Sequence, residues 1–220
     1  IDDFTVTSAA NADLLNVVAD TISVTATSID LESTTYTAVV GNATFTGAVD
    51  LDLAAGTTTI NTATANTDII FTSTIDDNIA KNTDLVLVAG TGDVDLRGDV
   101  GVTIAIDDFT VTSAANADLI SVVADTITVT ATSIDLEGTA YTSVVGNATF
   151  TGAVDLDGGA ITTTVTTSAS NSDIIFTSTI NDNIAGETDL VLVAGTGNVD
   201  LRGNVGGTIR VDDFTVTSAA

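Results

Sequence analysis

The chain has no proline, cysteine, methionine, tryptophan or histidine, and only four lysines and arginines among 220 residues. Each absence closes a branch of chemistry. Without histidine or cysteine there is no Ser-His-Asp or Cys-His nucleophile system, no zinc site of the usual ligands and no haem or iron–sulfur ligation. So few cations make nucleic acid a poor partner, because neutralising phosphates carries that affinity. Anionic membrane surfaces are equally unsuited. No apolar run is long enough to span a bilayer and no export-signal pattern opens the chain, so no membrane insertion is expected of this segment and any export signal is expected outside it. The lack of cysteine leaves the redox compartment open.

What is present is acidic and strand-forming. Thirty Asp and Glu, almost all Asp, bring the formal charge to −26, while 44% of residues are hydrophobic, enough for a packed core and unlike a disordered acidic tail. The apolar residues are chiefly Val, Ile, Leu and Ala interleaved with Thr, the population that favours β-strands. A Lys-poor acidic surface fits an extracellular or saline setting, where salt screens like charges over about 8 Å or less.

The same text occurs twice and begins a third time. IDDFTVTSAANADL opens residues 1–105 and returns unchanged at the start of residues 106–210, and VDDFTVTSAA at 211–220 opens another unit in the same phase. Only 22 of the 105 aligned positions differ, and they cluster in 53–67 against 158–172. A catalytic protein needs one good site, whereas near-perfect tandem copies serve length or avidity. An enzyme is not expected.

Nearly every segment alternates with period two. In DIIFTSTI (68–75), Ile69, Phe71, Ser73 and Ile75 share a face; Leu85, Leu87 and Ala89 fall together, as do Val94 and Leu96. The one helical candidate, NADLLNVVAD (11–20), reads equally as strand or turn. Gly41-Asn42, Asp76-Asp77-Asn78, Gly90-Thr91-Gly92 and Gly98-Asp99 mark turns. Apolar triplets begin near Phe4, Ile22, Ala43, Ile69 and Leu85 and resume at Phe109, about 21 residues apart, the length of a solenoid coil. The expected fold is therefore all-β, a parallel β-solenoid of about five coils per 105-residue repeat, each unit advancing roughly 24 Å. The alternative is a string of immunoglobulin-like or cadherin-like sandwiches, for which INDN at 180–183 is a faint linker signal. The missing proline and tryptophan weigh against it.

The order DIIFTSTI, LVLVAGTGDVDLRGDVG, FTVTSA, YTAVVGNATFTGAVDLD resembles the repeats of giant bacterial surface proteins related to filamentous haemagglutinins. The resemblance covers essentially the whole unit in both copies. It implies a right-handed parallel β-helix exported to the cell surface, acting as stalk, adhesin or fibre, with no catalytic residues to carry over. The heavier Asp load and the 53–67 region depart from the pattern and leave coil boundaries there and in 158–172 open.

Several residues invite a functional reading. Asp2, Asp3, Asp50, Asp52 and Asp95, with their counterparts Asp107, Asp108, Asp155, Asp157 and Asp200, place carboxylates on neighbouring coils where calcium could bridge them. No glycine-aspartate nonapeptide or EF-hand loop accompanies them, so solvated surface aspartate is read first and no cofactor is required. Arg97-Gly98-Asp99 spells an integrin tripeptide, but the second copy has Arg202-Gly203-Asn204, so it reads as a turn, with Arg97 and Arg202 pairing Asp95 and Asp200. Asn42-Ala43-Thr44 and Asn147-Ala148-Thr149 fit the glycosylation pattern and also read as turns. Thr5/Thr7 and Thr72/Thr74 would suit an ice-binding array only if in phase on every coil, and 49–53 and 94–97 break that phase. Phe4, Phe45 and Phe71 read as core stacks. The Asp pairs as polysaccharide-cleaving carboxylates form the weakest reading. The sequence therefore predicts a structural repeat of an extracellular fibre or stalk that stacks on its own neighbours and associates with copies of itself. The alternative is an adhesin module holding surface glycans or calcium on exposed Thr and Asp faces.

Overall fold

Every regular element in the computed structural model, which describes residues 1–169 and 171–218, is a β-strand. The first unit supplies β1 (Asp3–Leu14), β2 (Val17–Ala19), β3 (Thr21–Leu31), β4 (Thr35–Ala38), β5 (Ala43–Leu51), β6 (Gly56–Asn61), β7 (Ile69–Phe71), β8 (Ile75–Asp77), β9 (Thr83–Val88) and β10 (Val94–Leu96). The second supplies β11 (Ile106–Ser113), β12 (Asn116–Leu119), β13 (Val122–Leu136), β14 (Ala140–Ser143), β15 (Ala148–Leu156), β16 (Thr162–Thr167), β17 (Ile174–Phe176), β18 (Ile180–Asp182), β19 (Asp189–Gly195) and β20 (Val199–Leu201). The third opens with β21 (Phe214–Ser218).

All pairings are parallel, and they define a three-sided solenoid. Along the first side, Phe4, Ile22, Ala43, Ile69, Val94, Ala117, Ile134, Val154, Ile180 and Val205 are successive partners. The second side runs from Ala12 through Ile29, Val49 and Ile75 to Leu192 and Val216, and the third from Val17 through Tyr36, Ile60 and Leu87 to Phe176 and Leu201. Coil length varies widely along the first side: the step from Ala117 to Ile134 is among the shortest and that from Ala43 to Ile69 among the longest.

The triplets at Phe4, Ile22, Ala43 and Ile69 do stack as coil equivalents, but those at Leu85 and Phe109 do not continue that side. Val94 is the partner of Ile69, whereas Leu85 lies on the third side between Thr58 and Phe109. Consequently the copies of one phenylalanine fall on three different sides: Phe4 on the first, Phe109 beside Leu85 on the third and Phe214 beside Leu190 on the second. One repeat is fourteen sides, or four and two-thirds coils, and rises about 22 Å. Equivalent residues of successive repeats therefore do not lie above one another. Likewise Ile69 and Ile75 do not share a side: β7 and β8 flank a corner at 72–74, and each buries its first and third residues. Residues 11–20 are the end of β1 and the whole of β2, not a helix.

Pairing crosses the boundary between units without a waist, through Leu85 with Phe109 and Val94 with Ala117. That continuity excludes the sandwich array. Inward side chains alternate with outward ones along each short side and fill the interior, where Phe45 stacks on Phe71 at 4.8 Å and 13°, and Phe150 on Phe176 at 4.8 Å and 11°. The expected phenylalanine stacks are there, with Phe4 half-buried on the first coil. Corners need close backbone approach. Gly47 has φ 136°, and a Cβ there would come 2.0 Å from the Ala26 carbonyl oxygen. In the region where the copies diverge, β6 and β16 keep their ladder positions while the segments at 52–55 and 62–68 swing outward. These segments hold neighbouring coils largely through backbone groups, as where the Thr62 amide donates to Val88 and Leu53 O accepts from Asn82 and Thr83, which a change of side chain leaves in place.

Candidate functional site

The register turns scattered aspartates into columns. On the outward face of the second side, Asp13, Asp30, Asp50 and Asp76 are consecutive partners. Their copies Asp118, Asp135, Asp155 and Asn181 form a second column on the first side, which Asp95 precedes as an additional rung. Strands about 4.8 Å apart set unit charges at a spacing where each neighbouring pair repels by about 1 kcal/mol even in water.

The carboxyls register that crowding. Partial burial, then the charges of Asp30, Asp76 and Asp52, push Asp50 above the usual carboxylate range. Burial, followed by Asp135 and Asp157, does the same to Asp155. Burial followed by Asp157, Asp135 and Asp95 raises Glu137. Asp118 moves furthest, to about 7, through burial, a hydrogen bond with Asp135 and the charges of Asp135, Glu137 and Asp95. Positive charge meets the second column at Asp95, where Arg97 Nη2 lies 2.5 Å from Asp95 Oδ2; the copy of that pair, Arg202 Nη2 at 2.7 Å from Asp200 Oδ2, stands on the third side beside Ile175 and outside both columns. These are the pairs the spacing predicted, and their exposure leaves them largely screened by solvent.

The ten aspartates considered for calcium fall in separate places, Asp95 and Asp200 being the partners of Arg97 and Arg202. Asp50 and Asp155 belong to the columns. Asp52 and Asp157 accept amide hydrogen bonds from Asn78 and Asn183 one coil on. Asp3 and Asp108 accept the hydroxyls of Thr21 and Thr126, at 2.6 and 2.5 Å. Asp2 is exposed on the first coil, and Asp107 is raised by burial and then by Asp108, Asp84, Asp125 and Asp77. Among the described residues no three acidic side chains come together as a metal-binding group.

Other motifs resolve into corners. Gly98 of the Arg-Gly-Asp tripeptide backs directly onto Ser73, where a Cβ would meet the carbonyl carbon at 2.4 Å, and Arg97 is engaged with Asp95. The outward row beside Thr5 reads Ser23, Thr44, Ile70 and Asp95, so the threonines form no continuous array. Asn42 and Asn147 do turn the chain, and their side chains do more. Asn42 Oδ1 accepts the Asp68 amide at 3.0 Å, Asp68 Oδ1 accepts that of Asp93 at 3.0 Å, and Asp93 Oδ1 accepts that of Asn116 at 3.0 Å. Asn147, Asp173 and Asn198 repeat the chain of bonds at 2.8 and 2.7 Å.

Each corner residue thus satisfies a backbone N–H of the coil after it, tying successive corners together near the surface. Composition alone did not disclose this duty. The signal lay in the text, since Asn or Asp stands directly before the words ATF, IIF, VDL and ADL. A second structural duty falls to Asp77 and Asp182, both buried. Asp77 Oδ2 accepts the amides of Asn82 and Thr83 at 2.8 and 2.9 Å, and Asp182 Oδ2 those of Glu187 and Thr188 at 2.9 and 3.0 Å. Burial would raise Asp182, but the Thr188 and Glu187 amides outweigh it and hold the carboxyl below its usual value.

The described surface is therefore that of an acidic, three-sided parallel β-solenoid built from an internal repeat. No family model, curated protein or solved structure matches the chain.

Proposed function

We propose that this chain is a length-building segment of an exported extracellular fibre or stalk, of the kind carried by giant bacterial surface proteins related to filamentous haemagglutinins. The observation that carries the reading is the uninterrupted ladder across the unit boundary, from Leu85 to Phe109 and from Val94 to Ala117. A unit that pairs with the next through its whole cross-section adds length without adding a joint, and stretching the rod opposes many parallel hydrogen-bonded strands at once. The acidic surface keeps neighbouring rods apart unless salt or cations screen it.

Chains of two, four and six units, imaged by electron microscopy, test the mechanical part. The expected result is a straight rod lengthening by about 22 Å per unit at constant width; a beaded string or a globule would refute it. Antibody raised against the repeat tests the location. Binding to intact source cells is expected, whereas binding only after permeabilisation would overturn the surface assignment.

A further inference from the structure

Asp118, in β12, sits between β10 and β13 in surroundings short of positive charge. From β10 and the corner before it come Asp95 and Asp93, with Arg97 held by Asp95; from β13 and the residue after it come Asp135 and Glu137; Asp155 and Asp157 follow one coil further on. The Asn116 side-chain nitrogen donates to both carboxyls, to Asp118 Oδ1 at 2.6 Å and Asp135 Oδ2 at 2.9 Å. Its own Oδ1 is closed to solvent and without a partner among the described residues. A single neutral amide does not balance two carboxylates on adjacent strands. The other unit repeats the arrangement, with Asn11 donating to Asp13 at 2.6 Å and Asp30 at 3.0 Å. At the far end of each column the rung works with or without charge: Asp76 Oδ1 accepts the amides of Thr103 and Ile104, and Asn181 Oδ1 those of Thr208 and Ile209.

We propose that Asp118 carries a proton hydrogen-bonded to the Asp135 carboxylate across neighbouring coils, making the solenoid a pH-responsive rod that tightens as this proton is taken up and loosens as it is lost. The direction follows from linkage. The folded chain holds this proton up to about pH 7, whereas the ordinary carboxyl value is 3.8. The contribution is therefore complete below the ordinary value and disappears as pH rises through neutrality.

The test combines carbon NMR of carboxyl-labelled aspartate with thermal unfolding of the 220-residue chain at about pH 5 and about pH 8.5. One aspartate resonance should titrate near neutrality, vanish in Asp118→Asn and shift its midpoint down in Asp135→Asn. The wild-type melting temperature should fall from the acidic to the alkaline buffer. Asp118→Asn should reduce that fall and melt above wild type at the alkaline end, while Asp2→Asn, exposed on the first coil, keeps the wild-type slope. The proposal is overturned if no aspartate resonance titrates above about pH 6, or if Asp118→Asn retains the full wild-type fall. If Asp118→Asn fails to fold, the wild-type resonance and its response to Asp135→Asn decide the question.

Discussion

Truncating Phe71 to alanine tests whether the interior is closed and equally crowded on every side. The ring has no exposed surface, stacks on Phe45 at 4.8 Å and is followed one coil later by Leu96. Removing it costs the transfer of the ring plus the cavity left behind, about 3–5 kcal/mol, of which the stack supplies about 0.5–1.5. The cavity is bounded by three hydrogen-bonded walls that resist collapse, so the loss should sit in the upper half of that range. For a chain of this size about 4 kcal/mol corresponds to roughly 8–16 °C in melting temperature. Phe176 is the same residue of the next repeat, stacked on Phe150 at 4.8 Å, but it lies on the third side rather than the first. If the sides are equivalent, Phe176→Ala should match Phe71→Ala. The two should also add, because one repeat's rise, about 22 Å, separates them. Urea unfolding followed by far-UV circular dichroism measures both. A loss below about 1 kcal/mol at either position, or a several-fold difference between them, would refute the reasoning.

Two further substitutions probe the corners. Gly47→Ala forces a Cβ into the Ala26 carbonyl at a positive φ and should cost more than about 2 kcal/mol, whereas Gly159→Ala, at φ 72° with nothing within 4 Å, should cost only about 1–2; urea midpoints separate them. Asn42→Ala removes the acceptor for the Asp68 amide and should cost about 1 kcal/mol while speeding exchange of that amide. Asn42→Asp keeps an acceptor for the Asp68 amide, so its exchange should stay slow, but it gives up the donor to Asp68 Oδ2 and faces that carboxylate, so it should cost up to about 1 kcal/mol.

Alternation and the missing proline made strands, short sides and a solenoid legible, and the phenylalanines were recognisable as core. What stayed hidden was which side each strand takes. Every side asks the same thing of the text, two inward apolar residues around an outward one, so Ile69–Phe71 and Leu85–Leu87 look alike although they face the axis from different directions. Only the corner lengths, summed along the chain, decide, and they range widely from coil to coil. The carboxylate columns were hidden for the same reason. The interval from Asp95 to Asp118 is longer than that from Asp118 to Asp135, an irregular spacing that becomes a straight row only once the corners are known. Asp77 and Asp182 look in sequence like any turn acid; their burial depends on the outward loop that folds back over them.

The fourteen-side repeat has a bearing on how such an array tolerates changes in copy number. Near-identical units invite unequal recombination, and here the gain or loss of one unit leaves strand meeting strand, because fourteen is a whole number of sides. It is not a whole number of coils. Each event would therefore turn everything beyond it by a third of a revolution as well as moving it about 22 Å along the axis, and three events would restore the heading. In an array of this unit, length and the compass direction of whatever the rod carries at its tip would be inherited together.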